Sequence, residues 1–348
     1  MIKLAKKMNT KFYYGWIIVV ISALALFFSS PGQTYSISVF ISVYENELGY
    51  SKALLSSGYS IATTMSGLLM IFVGRFIDKK GHRYVFLFVT ILLAVSTFFS
   101  SFVFHLWMIY VSFFMLRFFG QGSMTILPSS LVPQWFEKRR AFALSMMALG
   151  GFLGTLFVPR LNLFLIDWLG WQNAWRFWGV SLLIVFLPII FLGLFNRPED
   201  LELSMENDSD RSIDDQIKQM MLTSMTLKET IATKSFWFLA VMSMVVPMFT
   251  TGVTFHFYAI MSERGVAQEQ AAWIIGLIAF PVLFMPFIAK LFIDKTRPKY
   301  IFILTQSMIF LSMLLLLLWV NNAQTALLFI LFYGVAVAIQ QVTLNAVW

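Results

Sequence analysis

Residues 53–103 read ALLSSGYSIATTMSGLLMIFVGRFIDKKGHRYVFLFVTILLAVSTFFSSFV, in which two apolar blocks flank the run Gly74-Arg75-Phe76-Ile77-Asp78-Lys79-Lys80-Gly81-His82-Arg83. Each block is about 20 residues long, the length an α-helix needs to cross roughly 30 Å of hydrocarbon. The charged run between them belongs in water. The segment therefore reads as two membrane spans turning back at one membrane face.

The same pattern extends outward to both ends of the chain. Of 348 residues, 59% are hydrophobic and 12% charged, far from the roughly half apolar and quarter charged mix of soluble domains. Ten spans are predicted, at about 15–40, 53–73, 84–103, 106–134, 141–164, 174–195, 235–260, 270–292, 300–320 and 324–347. The fold class is an all-α polytopic membrane protein. The basic start, MIKLAKKMNTKFYYGW, precedes an apolar stretch too long for a signal h-region, so it reads as a retained first helix. Only residues 196–234 form a long polar segment, and its run PEDLELSMENDSDRSIDD is too acidic and too poor in apolar residues to pack a core. It reads as a cytoplasmic linker.

The net charge of +8 points to topology rather than to nucleic acid. With the N-terminus inside, 20 basic residues fall on the cytoplasmic side, whereas Lys52, Arg160, Arg176 and Arg264 fall outside. This places a multi-pass protein, N-terminus cytoplasmic, in a bacterial-type plasma (inner) membrane. The absence of cysteine removes disulfides and thiolate metal sites.

The chain also repeats itself. A shift of 216 residues lays Pro31 on Pro247, Thr34 on Thr250, Glu47 on Glu263, Gly49 on Gly265 and Phe76-Ile77-Asp78-Lys79 on Phe292-Ile293-Asp294-Lys295. Parallel duplication of this kind predicts a six-helix bundle over 1–195, the linker over 196–234, and a second bundle over 235–348 with four of six helices present.

The run from Gly74 to Arg83 resembles the major facilitator superfamily signature G-x-x-x-D-[RK]-x-G-[RH]-[RK] at every defined position. In that family the run is a gating loop, which implies this role for Gly74, Asp78, Lys79, Gly81 and Arg83, with Asp78 acting on an eleventh helix. Leu116-Arg117-Phe118-Phe119-Gly120-Gln121-Gly122 is similar to the family's R-x-x-x-G-x-G, one residue shorter. SPGQTY at 30–35, ENELGYS at 45–51, QWFEKRRAFA at 134–143 and GWQNAWRFWG at 170–179 look like the monocarboxylate porter and oxalate:formate antiporter branch. That branch implies a cation in span eight, yet residues 271–289 hold neither Lys nor Arg.

Arg117 lies about ten residues into its span, roughly 15 Å of helical rise, where a charge faces a bundle interior or a wet cavity. It reads either as a fork for a substrate carboxylate or as a tie to backbone carbonyls. Gln121, four residues on, is expected on the same face. Pro31-Gly32 and Pro247 occupy equivalent positions, and paired helix interruptions point to a midplane site, which makes Gln33, Tyr35, Thr251 and His256 candidates. His256 is the candidate for a coupling proton, and Gln341 is a further polar candidate in span ten. Trp107, Trp135, Trp171, Trp175, Trp237 and Trp273 read as interfacial anchors. Gly67, Gly150, Gly151 and Gly154 read as packing contacts.

These features predict a secondary transporter that moves a small solute, an organic anion such as a monocarboxylate, by alternating access. The solute is coupled to a proton or an exchanged anion. Neutral or cationic solutes, a transporter-derived sensor and a membrane-embedded enzyme are the alternatives. No enzymatic activity, cofactor or metal is expected, and the partners are membrane lipid and solute, with the protein working as a monomer.

Overall fold

A computed structural model describes residues 13–136, 139–201, 231–284 and 298–347, without the side chains of 141, 235, 238, 239, 242, 243, 246, 298, 299, 302 and 340–347. The described chain is helical, with no strand, and a helix stands at each of the ten expected positions. Gly15–Leu48, Lys52–Lys80, His82–Ser100, Phe142–Leu169 and Trp171–Gly193 are each long and apolar enough to cross a membrane. The spans keep their sequence numbers below.

Turn chemistry separates these helices. Gly49 and Gly265, equivalent in the internal repeat, both end a helix with positive φ, at 73° and 71°. That left-handed conformation is one glycine adopts without steric cost. Gly81 does the same between spans two and three at φ 79°. Side chains cap two helix starts: the Ser51 hydroxyl accepts from the Leu54 amide before span two, and Thr233 from the Phe236 amide before span seven.

Span one is two helices, Gly15–Phe28 and Thr34–Leu48, joined by a 3₁₀ turn at Ser30–Gly32. Its turn packs on a π-helical stretch of span four, Leu116–Ser123. A methyl group on Gly32 would meet the Leu116 carbonyl and the Gly120 Cα, so the two backbones touch only because both residues are glycine. Spans one and five meet as closely where Gly150 lies against the Ala23 backbone. Spans seven, eight and ten pack together, and span nine packs on span ten. Span seven lies against the second helix of span one, and span eight against span five.

Several expectations are corrected. Span seven runs unbroken from Lys234 to Glu263 through Pro247, so of this equivalent pair only span one is interrupted. Proline alone removes one donor, which a membrane helix tolerates; at Pro31 the chain also turns extended at Gln33, with ψ 147°. The run expected as a loop at 74–83 is helix to Lys80, with only Gly81 as the turn. Gly67 and Gly74 face open space rather than a neighbouring helix. Trp135, Trp171 and Trp175 are core residues, whereas Trp107, Trp237 and Trp273 are exposed. The Trp175 ring stacks 4.0 Å from Phe40 and donates to the Tyr44 hydroxyl at 3.0 Å, so its polar end is satisfied without water.

Candidate functional site

The interruption in span one positions the candidate residues. Ser29 and Ser30 turn their hydroxyls onto the Leu26 and Phe27 carbonyls freed at the end of the first helix, at 2.7 and 2.5 Å. Gln33 then donates to the Ser29 hydroxyl at 2.9 Å, and the Tyr35 and Ser30 hydroxyls lie 3.0 Å apart. These side chains open onto a cavity of about 350 Å³ between spans one, four, five and eight. Its polar lining is Ser29, Gln33, Tyr35, Thr125 and Thr155, and Leu26, Phe152, Ile278, Val282 and Leu283 form apolar walls. Among the described residues that line it, none carries a charge.

Arg117 stands behind the break rather than in that cavity. It is 5% exposed. Its Nε donates to the Thr63 hydroxyl at 3.1 Å and its Nη1 to the Thr34 hydroxyl at 3.2 Å, with the Gly32 carbonyl at 3.5 Å. The guanidinium lies 5.0 Å from the centre of the Tyr59 ring, and the Tyr59 hydroxyl donates to Thr34 at 2.8 Å. Among the described residues no carboxylate pairs with it. The cation is held by hydroxyls, one backbone oxygen and an aromatic face.

Gln121 makes no hydrogen bond with Arg117. The stretch between them is π-helical, closing i to i+5, so the expected i, i+4 register does not hold. The Gln121 Oε1 is buried without a partner among the described groups. Thr251 and His256 fall in a second cavity of about 540 Å³ between spans two and seven, whose opposite wall holds Ser56, Tyr59, Ser60, Thr63 and Thr64. His256 Nε2 is 3.5 Å from the Ser56 hydroxyl, at the limit of a hydrogen bond. The structure thus brings Gln33 to Tyr35 and Thr251 to His256, places Arg117 between the two groups, and leaves Gln121 outside both cavities. The Gln341 side chain lies outside the described residues. Sequence reasoning missed Tyr59, Thr63, Thr125 and Thr155; the i, i+4 pair Tyr59 and Thr63 was the available signal.

A set of close contacts, termed here the seal, joins the first six spans to those that follow. The Tyr59 and Phe255 rings lie 4.4 Å apart, Gln268 donates to the Ser42 hydroxyl at 3.2 Å, and Arg160 pairs with Glu269 at 2.7 Å. Gly276 packs directly on the Leu156 backbone. At the other end of the bundle, Asp78 and Lys79 are exposed. Arg83 there donates its backbone amide to the Asn196 side-chain oxygen at 2.8 Å and its Nη2 to the Phe191 carbonyl at 2.8 Å. The Gly81 turn thereby fastens to the end of span six.

The Major Facilitator Superfamily model matches residues 4–348. The chain belongs to the major facilitator superfamily. A citrinin biosynthesis cluster transporter of this superfamily from Monascus ruber is 27% identical over 48% of this chain and 30% of its own length. Monocarboxylate transporter 9 of Mus musculus is 25% identical over 53% of this chain and 35% of its own. The uncharacterised superfamily transporter YhjX of Escherichia coli is 25% identical over 65% and 50%. The matched part thus spans 30% to 50% of these relatives.

Among solved structures, an inward-facing bacterial homologue of the lysosomal transporter Spinster aligns with TM-score 0.69 at 13% identity, over 97% of this chain and 75% of that one. The nucleoside transporter NupG aligns with TM-score 0.70 at 11% identity, over 94% and 81%. At that identity the likeness shows the superfamily fold alone. The helices and the family together make this a multi-pass membrane protein of that superfamily.

Proposed function

We propose that this superfamily member is a secondary transporter for a small organic acid, moved by alternating access through the cavity beside the broken span one. The observation that carries the reading is the cavity itself, about 350 Å³, with hydroxyl and amide groups on one side and apolar walls on the other. It fits a solute with one polar head and an apolar body. Likeness to monocarboxylate transporter 9 supports a carboxylic acid as that solute.

The described lining offers no cation, and burying an unpaired carboxylate costs far more than burying the hydrogen-bonded acid. The solute therefore binds with its proton, its carboxyl group meeting Gln33, Tyr35 and Thr155. Halves bounded as 1–195 and 235–348 rock about this cavity, with 196–234 as their linker. The end carrying residues 74–83 faces the cytoplasm, as the placement of basic residues favours.

Proteoliposomes loaded with buffer and given labelled monocarboxylates across a proton gradient test the proposal. Uptake should accelerate when the solute side is acid and collapse with a protonophore. Flux of a neutral solute with no response to the gradient would replace the acid by an uncharged substrate, a reading the same uncharged lining favours.

A further inference from the structure

At the sealed end a groove of about 600 Å³ runs between spans five and eight. Span five contributes Phe157, Arg160, Phe164 and Asp167, and span eight contributes Glu269 and Trp273. Arg160 and Asp167 are seven residues apart, two turns along one helix face, with about 10 Å of rise between them. Arg160 is the deeper of the two in the span; Asp167 stands nearer the helix end at Leu169.

Charge and apolarity are ordered along this groove. The Arg160 guanidinium lies 4.8 Å from the centre of the Trp273 ring and shares one nitrogen with Glu269 at 2.7 Å. Its side chain remains 40% exposed, so donors are left over. The Asp167 carboxylate has no partner among the described residues and is exposed. Phe164, Trp168 and Trp273 are exposed around it, the amphipathic aromatics expected where hydrocarbon meets headgroups.

We infer that this groove binds one phospholipid whose headgroup carries a free ammonium, as in phosphatidylethanolamine. A phosphate lies deeper than the ammonium it bears, which matches a cation at Arg160 and an anion nearer the helix end at Asp167. The phosphate takes the spare guanidinium donors, the ammonium donates to Asp167, and the acyl chains follow Phe157 and Phe164 into the hydrocarbon. Because the lining comes from both spans, the lipid bridges the two parts of the molecule at the seal.

Native mass spectrometry of the full chain in mild detergent, titrated with phosphatidylethanolamine, phosphatidylcholine or phosphatidylglycerol, tests this. Wild type should retain one phosphatidylethanolamine preferentially, and Asp167→Asn should lower that affinity about tenfold, to the level of phosphatidylcholine, whose quaternary ammonium cannot donate. Arg160→Gln should weaken both zwitterionic lipids and phosphatidylglycerol together. Equal retention of all three lipids by wild type, or an unchanged preference in Asp167→Asn, overturns the site; so does displacement of the bound lipid by inorganic phosphate, which would make it a free-anion site. Monodisperse elution of each variant, with Glu263→Gln as a control outside the groove, separates loss of the site from loss of the fold.

Discussion

Replacing Arg117 with glutamine separates a structural tie from a transport element. The substitution removes two charge-assisted hydrogen bonds, to Thr63 at 3.1 Å and to Thr34 at 3.2 Å, and the contact with the Tyr59 ring. Bonds of that kind contribute about 1.5–3 kcal/mol each, so about 3–6 kcal/mol is at stake. Against this, the variant no longer holds a cation near the middle of the bilayer, which costs about 2.5–3.5 kcal/mol even on insertion scales. Thr34 still accepts from Tyr59 at 2.8 Å, and the glutamine amide can reach one of the two hydroxyls.

The net destabilisation is then small, about 1–2 kcal/mol. What is lost is the restraint on the Ser30–Gly32 turn that aims Gln33 and Tyr35 into the cavity. Purified protein should therefore melt within a few degrees of wild type, while uptake by proteoliposomes falls by at least about tenfold, the effect of roughly 1.4 kcal/mol on a barrier. Unchanged uptake would refute the reasoning. A melting temperature that collapses along with uptake would make Arg117 a folding residue only.

Three further outcomes follow from the contacts. Tyr35→Phe removes the hydroxyl 3.0 Å from Ser30 and should cost about 1 kcal/mol of stability while raising the KM for solute more than it lowers kcat, as measured by initial uptake rates. Gly32→Ala puts a methyl group against the Leu116 carbonyl and Gly120; since the clash is with backbone, thermal melting should show a loss of at least about 2 kcal/mol. Asn162 donates to Ser36 and accepts from Trp178, both at 2.8 Å. Asn162→Leu should lower stability by about 2–4 kcal/mol through the two stranded buried groups, seen as a lower melting temperature in nanodiscs.

Most of the fold could be read from the sequence because apolar length and turn residues act locally. The ten helical positions and the Gly49 and Gly265 turns needed no tertiary information. The interruption at Pro31-Gly32 was also legible, but the continuity at Pro247 was not, since what separates the two is Gly32 lying against Gly120, a residue in another span. Arg117 was visible as a buried charge, but its partners Thr34, Tyr59 and Thr63 are ordinary hydroxyl residues whose importance is set by packing. The i, i+4 reading of Gln121 failed because a π-helical stretch cannot be told from an α-helix by apolar spacing. Trp135, Trp171 and Trp175 were misplaced for a related reason: all three are buried, and the Trp171 and Trp175 indoles donate to Glu47 and Tyr44, which a span-end position alone does not show.

Alternating access requires the seal at Ser42 and Gln268 to open in every cycle. The natural chain has no cysteine, so Ser42→Cys with Gln268→Cys creates a unique pair at a contact now 3.2 Å across. A short bis-methanethiosulfonate reagent, which forms a disulfide with each cysteine as sulfinate leaves, should stop solute flux in proteoliposomes, and reducing those disulfides should restore it. Undiminished flux through fully linked protein would contradict the mechanism.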